Sequence, residues 1–248
     1  MGDRRNIRLW LEYDGTRYHC WQRQKNALTI QEVVEAALLK LTQEKVSLIG
    51  SGRTDAGVHA LGQVANFFTT RALPLKAFLH GLNSLLPPDI AILEVQEAPM
   101  DFHARKSARH KTYEYRLLNR PVRSPLSRTH GWWLDDKLHL EAMQQAAASL
   151  LGEHDFSAFR ASGGRVGSPV RKVLAASWQQ EPGGWLLFSI TANGFLRGMV
   201  RSLMGTMVEI GQGKRPPTDL KELLQHGQRH LVGPTAPAHG LFLVEVVY

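Results

Sequence analysis

A single cysteine, Cys20, and the lack of any apolar run near the ~20 residues of a membrane-spanning helix limit what this chain can be. One cysteine excludes an intrachain disulfide and a zinc site built on several cysteines. The histidines are scattered, without the His-Glu-x-x-His spacing of a zinc enzyme. A Gly-x-x-x-x-Gly-Lys phosphate loop and a Gly-x-Gly-x-x-Gly turn are also absent. If the chain is an enzyme, we expect it to use side chains alone, with no cofactor and no metal.

Acidic residues are outnumbered, with 22 Asp and Glu against 30 Lys and Arg, a formal net charge of +8 and a pI near 9.8. This balance favours a polyanionic partner, and nucleic acid ahead of a membrane, because membrane association needs an apolar span or a basic amphipathic helix. Residues 1–5 lead into a strand-like pattern instead of a signal-peptide core. We therefore expect a soluble cytoplasmic protein with no membrane partner.

Basic residues are concentrated over residues 101–130, where the sequence has eight Lys or Arg and two acids. Tyr113 and Tyr115 lie within this stretch. Basic side chains can meet phosphates while aromatic rings stack on unpaired bases, so the pattern suits single-stranded or distorted RNA. The alternative is a solvated basic loop beside core tyrosines, and the clustering favours nucleic-acid contact.

In the first half, alternating and helical hydrophobic periods predict six elements. They are a strand over 7–13, a helix behind the capping pair Thr29 and Glu32, a strand on each side of a loop at 50–59, a helix opened by Pro74 and ended at Pro87, and a strand over 90–95. The order β-α-β-β-α-β is that of a ferredoxin-like unit.

The second half repeats this order without visible sequence repetition. Strands are predicted over 112–118, 170–178, 185–192 and 241–248, an extended segment over 131–134, and helices over 140–151, 196–210 and 220–224. In the long helix, Arg197 and Arg201 are four residues apart and are expected to share a face. We predict an α+β protein with ferredoxin-like halves at 1–106 and 107–248. The halves are expected to join into one long, mainly antiparallel sheet with helices packed on it and an RNA-binding cleft.

One stretch has the features of a reactive loop, and it reads Gly50-Ser51-Gly52-Arg53-Thr54-Asp55-Ala56-Gly57-Val58-His59 between two strand patterns. Its glycines permit tight turns and close approach of a large ligand. Asp55 has small neighbours and a cation nearby at Arg53. A nearby positive charge favours the ionised carboxylate that a nucleophile or base requires. The alternative is a β-turn in which Asp55 binds its own backbone.

The part of this loop over residues 52–59 resembles the catalytic motif of the tRNA pseudouridine synthase A family. Other segments resemble the family in order and spacing: Glu12-Tyr13-Asp14-Gly15, Trp21-Gln22-Arg23-Gln24, Phe102-His103-Ala104-Arg105, Tyr113-x-Tyr115, Met199-Val200-Arg201 and Gly240-Leu241-x-Leu243. The Asp55 stretch is the specific match, and the other segments extend it across the whole chain. Cys20 departs from the pattern, because the family usually has glycine before this tryptophan.

The resemblance implies a pseudouridine synthase fold and an isomerase that acts on uridines 38, 39 and 40 in the anticodon stem-loop of tRNA. The base must be flipped out of the helical arm before a side chain can reach it. Asp55 would be the nucleophile, Tyr113 would stack on the base, and Arg201 would lie beside the aspartate. Arg53 would occupy or stabilise the space vacated by the flipped nucleotide, and Leu241 would pack on the uracil. Whether Asp55 attacks C1′ or C6, or assists a glycal route, stays open.

The resemblance also implies two partners, a tRNA bound through its anticodon arm and a second copy of the chain in a homodimer. The tRNA-binding candidates are Trp21, Arg23, Gln24, Arg105, Lys106, Arg109 and Lys111. Two other functions compete with this one. A non-catalytic protein of two ferredoxin-like RNA-binding modules explains the charge and the element order, but not the glycine-bounded Arg-Thr-Asp loop. The missing cofactor-binding turn argues against an RNA methyltransferase.

Overall fold

A computed structural model of the chain describes residues 3–161 and 167–248. Helices and strands are both present in quantity, which confirms the predicted α+β class. The chain forms two compact units, one of Met1–Arg109 with Leu243–Tyr248 and the other of His110–Phe242. The domain boundary between residues 106 and 107 stays a prediction. Within the described ranges, no helix combines the length and the apolar character that crossing a membrane requires.

The first unit has the predicted order β-α-β-β-α-β. Its elements are β1 (Arg5–Tyr13), α1 (Ile30–Thr42), β2 (Ile49–Gly50), β3 (His59–Thr69), α2 (Leu75–Leu85) and β4 (Ile90–Ala98). The strands pair in the order β4-β1-β3-β2, and all three pairings are antiparallel. β2 is only two residues long, so the chain enters the Asp55 loop almost directly from the segment that follows α1.

Local sequence signals account for these elements. On β1, Ile7, Leu9 and Leu11 alternate with less buried residues and form one apolar face of the sheet. The Thr29 side chain accepts the N–H of Glu32 at 3.4 Å, so the predicted cap begins α1. These signals fix the scaffold on which the loop at 51–58 is carried.

The second unit contains the remaining helices and most of the remaining strands. Its elements are β5 (His110–Asn119), β6 (Trp132–Leu134), α3 (Leu140–Ala148), β7 (Gly152–Asp155), β8 (Val170–Glu181), β9 (Trp185–Ala192), α4 (Met199–Gly211) and α5 (Asp219–His226). β10 (Leu241–Val247) begins in this unit and ends in the first. The strands pair in the antiparallel order β5-β9-β8-β7, with β6 parallel to β5.

The hairpin between β8 and β9 is confirmed, with Gly183 and Gly184 at φ of 83° and 87°. The prediction that Arg197 and Arg201 share a helix face is wrong. α4 begins at Met199, and Gly198 before it has a left-handed φ of 70°, so Arg197 lies outside the helix. A left-handed residue interrupts the right-handed helical path, and hydrophobic spacing alone does not reveal it.

Candidate active site

The Asp55 loop, residues 51–58, connects β2 to β3 in the first unit. Gly57 has a φ of 74°, a left-handed conformation that glycine adopts without strain and that turns the chain back toward β3. Arg53 is exposed, Thr54 is buried and Asp55 is half-buried. The carboxylate therefore belongs to a half-buried residue that follows an exposed cation and a buried anchor in the chain.

Backbone hydrogen bonds tie this loop to the segment that follows β1. The Trp21 N–H donates to the Thr54 carbonyl at 3.0 Å, and the Gly57 N–H donates to the Tyr18 carbonyl at 3.3 Å. These two bonds lie on either side of Asp55 in the chain. They fix its backbone by contacts that do not involve its side chain.

A buried hydroxyl network, made of Tyr13, Ser51, Thr54 and Gln63, underlies the loop. The Tyr13 hydroxyl and Thr54 Oγ1 are 2.8 Å apart. Gln63 Nε2 donates to the Tyr13 oxygen at 3.4 Å and to the Gly52 carbonyl at 3.0 Å. The Ser51 hydroxyl donates to Gln63 Oε1 at 2.7 Å. Each member is buried, so the network holds the loop from the core side.

Close packing makes two glycines obligatory. A Cβ at Gly15 would lie 2.0 Å from the Val58 carbonyl oxygen, and one at Gly50 would lie 2.4 Å from Trp21 Nε1. The Trp21 side chain is 3% exposed, and its ring centroid is 5.9 Å from that of Tyr13. Trp21 therefore supports the loop from within the unit, and its contact with tRNA stays a prediction.

The next two tRNA-binding candidates lie in the turn after Trp21. Arg23 Nη1 is 2.9 Å from Glu35 Oε2, and the arginine side chain is 57% exposed. Gln24 Nε2 donates to Cys20 Sγ at 2.9 Å, and the thiol donates to the Gln22 carbonyl at 2.9 Å. Burial raises the pKa of Cys20, which keeps the thiol protonated for this second bond. The cysteine that departs from the family pattern thus takes part in closing this turn.

A basic turn, residues 99–109, carries three further candidates and is anchored by two buried amides. Asn6 Nδ2 donates to the Pro99 carbonyl at 2.8 Å and to the Phe102 carbonyl at 2.9 Å. Asn66 Nδ2 donates to Asn6 Oδ1 at 2.8 Å. Asn66 Oδ1 accepts the Ala104 N–H at 2.9 Å. The paired asparagines therefore fix the backbone of the turn against the sheet.

Tyr248 closes the other side of the basic turn. Its hydroxyl donates to the Ala104 carbonyl at 2.8 Å, and its ring packs on Phe102 with centroids 4.9 Å apart. Burial raises the pKa of Tyr248, so the hydroxyl keeps the proton that it donates. The side chains exposed on this turn include those of Arg105, Lys106 and Arg109. A rigid backbone thus presents three cations to solvent.

In the second unit, Lys111 and Tyr113 lie on β5. Lys111 is half-buried, and the Tyr113 side chain is 7% exposed. Tyr113 is opposite Ile190 of β9, and its ring meets Phe195 edge to face with centroids 4.9 Å apart. Phe195 therefore packs against the tyrosine ring, a contact that sequence reasoning did not foresee.

Arg201, on α4, is half-buried and holds the segment that leads into Leu241. Its Nε donates to the Ala236 carbonyl at 2.8 Å, and the Ala236 N–H donates to the Arg201 carbonyl at 3.0 Å. The Tyr115 hydroxyl donates to the Pro237 carbonyl at 2.7 Å, and burial raises the pKa of this tyrosine. Leu241 follows as a buried residue at the start of β10. Two long side chains thus fix the approach to Leu241.

The structure distributes the predicted site residues over both units. The first unit holds Arg53, Asp55, Trp21, Arg23, Gln24, Arg105, Lys106 and Arg109, and the second holds Lys111, Tyr113, Arg201 and Leu241. Sequence reasoning missed the side chains that anchor these residues, above all Gln63 and Asn66. Both are fully buried polar residues within the largely apolar β3. A polar residue at an inward position of a strand was the signal available, because such a group must find a partner.

Comparison with known proteins bears on this site. The family model described as "tRNA pseudouridine synthase" matches residues 10–105 and 146–248. The matched ranges include the Asp55 loop, most of the basic turn, and the region from α4 to β10. They therefore cover most of the chain and most of the anchored segments described above.

Curated relatives that bear the name "tRNA pseudouridine synthase A" are similar over nearly the whole chain. The relative from Acetivibrio thermocellus is 48% identical over 244 residues, covering 98% of this chain and 100% of its own. That from Geotalea uraniireducens is 49% identical over 244 residues, with the same two coverages. That from Myxococcus xanthus is 48% identical over 242 residues, covering 98% of this chain and 91% of its own.

Proposed function

Since this chain belongs to the tRNA pseudouridine synthase family and is an isomerase, we propose that it converts uridines 38, 39 and 40 in the anticodon arm of tRNA into pseudouridine. The observation that carries the proposal is the anchored loop around Asp55. It holds one half-buried carboxylate beside an exposed arginine, on a backbone fixed from both sides. Family membership also decides against the non-catalytic RNA-binding protein and the methyltransferase.

The proposed reaction balances within one nucleotide. The N1–C1′ bond breaks, the detached uracil turns, and a C5–C1′ bond forms. C5 loses a proton to solvent and N1 gains one, so no electron carrier and no second substrate are needed. Asp55 supplies the nucleophile, at C1′ or C6 of the target nucleotide or by assisting a glycal route. An amide in its place cannot attack as an anion.

Each remaining site residue receives a role toward the target nucleotide. The uridine lies in a helical arm, so base flipping precedes the chemistry. Tyr113 stacks on the base, with its ring steadied by Phe195. Arg201 keeps the nucleophile ionised, Arg53 fills the space of the flipped nucleotide, and Leu241 packs on the uracil. The anchored segment before Leu241 supports this last role, because an apolar contact needs a fixed position.

The tRNA backbone is proposed to bind to exposed cations of the first unit. The basic turn contributes its three cations on an anchored backbone. Trp21, Arg23, Gln24 and Lys111 are further proposed contacts, Trp21 acting through the loop that it supports. We also propose that the protein acts in the cytoplasm as a homodimer in which one tRNA touches both subunits. The net charge of +8 supports a polyanionic substrate.

Tritium release tests the proposed activity directly. We expect purified protein to release label from C5 of uridine in unmodified tRNA transcript, with no cofactor added, because C5 loses its hydrogen when it becomes the glycosidic carbon. Transcripts in which cytidine replaces uridine at position 38, 39 or 40 should each release less label, by the amount that comes from that position. An Asp55→Ala variant is the control and should release none. Absence of release by wild-type protein from bound, folded tRNA would contradict the proposal.

Removing the cations of the basic turn should flatten the salt dependence of tRNA binding. Replacing Arg105, Lys106 and Arg109 with glutamine removes up to three phosphate contacts. Each lost contact should reduce the slope of log Kobs against log salt by about 1, because fewer counterions are released on binding. Equilibrium binding of tRNA at several salt concentrations measures this slope.

A second triple variant provides the matched control. Lys40, Lys45 and Lys76 are exposed cations of the same unit, outside the basic turn. Replacing them with glutamine changes the net charge equally and should leave the wild-type slope. Equal slopes for both triple variants would show that charge alone matters, and would remove the basic turn from the proposed interface.

A further inference from the structure

Two hydroxyl groups meet on the buried side of the Asp55 loop, on residues to which the reaction assigns no role. The Tyr13 hydroxyl and Thr54 Oγ1 lie 2.8 Å apart, and both side chains are buried. Tyr13 ends β1, next to a shift of register between Leu11 and Tyr13 in the pairing with β3. Thr54 immediately precedes Asp55. The bond therefore joins the end of a rigid strand to the backbone that carries the carboxylate.

Gln63 connects these two hydroxyls to the rest of the network. Its Nε2 has only hydrogens to offer, and it donates to the Tyr13 oxygen and to the Gly52 carbonyl. Its Oε1 accepts from the Ser51 hydroxyl. Burial raises the pKa of Tyr13, so the phenol keeps its proton at neutral pH. Tyr13 thus accepts from Gln63 and, as a neutral phenol, shares one hydrogen bond with Thr54 Oγ1.

We propose that Tyr13 and Thr54 are positioning residues for the isomerisation, because their buried hydrogen bond fixes the backbone next to Asp55 and so aims its carboxylate at the uridine. This inference rests on the proposed function, in which Asp55 is the nucleophile. The loop contains Gly52 and Gly57, which restrict the backbone little and leave the aim to the surrounding bonds. A displacement of about 1 Å at a reacting group can cost on the order of a hundredfold in rate.

The expected signature is kinetic. Both side chains are buried, so their hydroxyls can be removed without changing the exposed groups that meet tRNA. Tyr13→Phe leaves the Thr54 hydroxyl and the Gln63 amide each without one hydrogen bond, but keeps the aromatic ring. We expect the loop to become looser without losing its packing. We therefore expect kcat to fall about ten- to a hundredfold while KM for tRNA stays near the wild-type value.

The experiment compares four variants in the tritium-release assay under steady-state conditions. Tyr13→Phe and Thr54→Val should lower kcat alike, and Thr54→Ser, which keeps the hydroxyl, should restore it. The double variant Tyr13→Phe/Thr54→Val should be no slower than either single variant, because both changes remove the same bond. Thr42→Val is the matched control.

The control removes a hydroxyl of the same kind from the same unit. Thr42 is buried at the end of α1, and its hydroxyl donates to the Leu38 carbonyl at 2.7 Å, away from the hydroxyl network. Thr42→Val makes the same change of side chain as Thr54→Val. Loss of this hydroxyl should leave kcat unchanged. Losses that multiply in the double variant, or a normal kcat for Tyr13→Phe, would overturn the inference.

Hydrogen exchange separates this inference from the proposed function. Amides of residues 51–58 should exchange faster in Tyr13→Phe than in wild-type protein, and at the wild-type rate in Thr42→Val. Unchanged exchange in Tyr13→Phe would overturn the positioning role whatever the activity of the wild-type enzyme. Missing tritium release by wild-type protein, with exchange altered as expected, would instead count against the proposed reaction.

Discussion

Replacing Asp55 with asparagine should lower the rate of pseudouridine formation at least about a thousandfold, equivalent to ~4 kcal/mol of lost transition-state stabilisation. The amide has nearly the same shape as the carboxylate, but it cannot attack as an anion. The loop should keep its form, because its backbone is held by Trp21 and Tyr18 and its core side by Tyr13. Affinity for tRNA should therefore stay within about tenfold, or ~1.4 kcal/mol. Single-turnover tritium release and equilibrium binding measure the two quantities.

Asp101→Asn supplies the control for the change of charge. Asp101 is an exposed acid of the same unit and lies beside the cations of the basic turn. Its replacement changes the net charge as Asp55→Asn does, and turnover should stay at the wild-type rate. Substantial turnover by Asp55→Asn would exclude nucleophilic catalysis by this residue. Asp55→Glu, with the carboxylate displaced by one methylene group, should also be strongly impaired.

Gly15→Ala should destabilise the protein by about 3 kcal/mol and lower its melting temperature by about 6–12 °C. The new Cβ would lie 2.0 Å from the Val58 carbonyl oxygen, and both partners are backbone that no side-chain rotation can move aside. The Gly15 N–H also donates to His59 Nδ1 at 3.1 Å, so moving residues 15 and 58 apart strains the exit of the Asp55 loop. Turnover should fall even below the melting temperature. Thermal unfolding and kcat measure the two effects.

Gly167→Ala tests whether the loss of a glycine alone has such an effect. A Cβ at Gly167 meets no atom within 4 Å, so the substitution should leave the melting temperature unchanged within about 2 °C. If Gly15→Ala melts at the wild-type temperature and turns over normally, the close approach of residues 15 and 58 is not a constraint on the fold.

The sequence was sufficient for most elements because their signals are local. Thr29 begins α1 through its own side chain, and Pro74 is followed directly by α2. β9 has the predicted bounds, since its alternating residues are flanked by a glycine turn and by Asn193. In each case the residues that set the structure are within a few positions of it.

Features that depend on distant residues could not be predicted. α4 begins only after Gly198, because the left-handed backbone of that glycine cannot continue the helix. Nothing in the apolar spacing marks this position. Asn66 was assigned only to a strand, because its partners at Asn6 and Ala104 are far away in the chain. The same holds for Tyr13 and Thr54, which meet only after β1 and the Asp55 loop are both in place. The motif identified Asp55, but the side chains that hold it required the folded structure.

The first unit is built from two separate stretches of the chain, and they are synthesised at different times. Residues 1–109 leave the ribosome before Leu243–Tyr248 exist, and the whole second unit is made in between. A nascent chain can brace the Asp55 loop early, since Tyr13 and Thr54 are both already present. The basic turn must wait for the Tyr248 hydroxyl to reach the Ala104 carbonyl. The surface that we expect to grip RNA is thus finished late in translation, whereas the reactive loop is braced early.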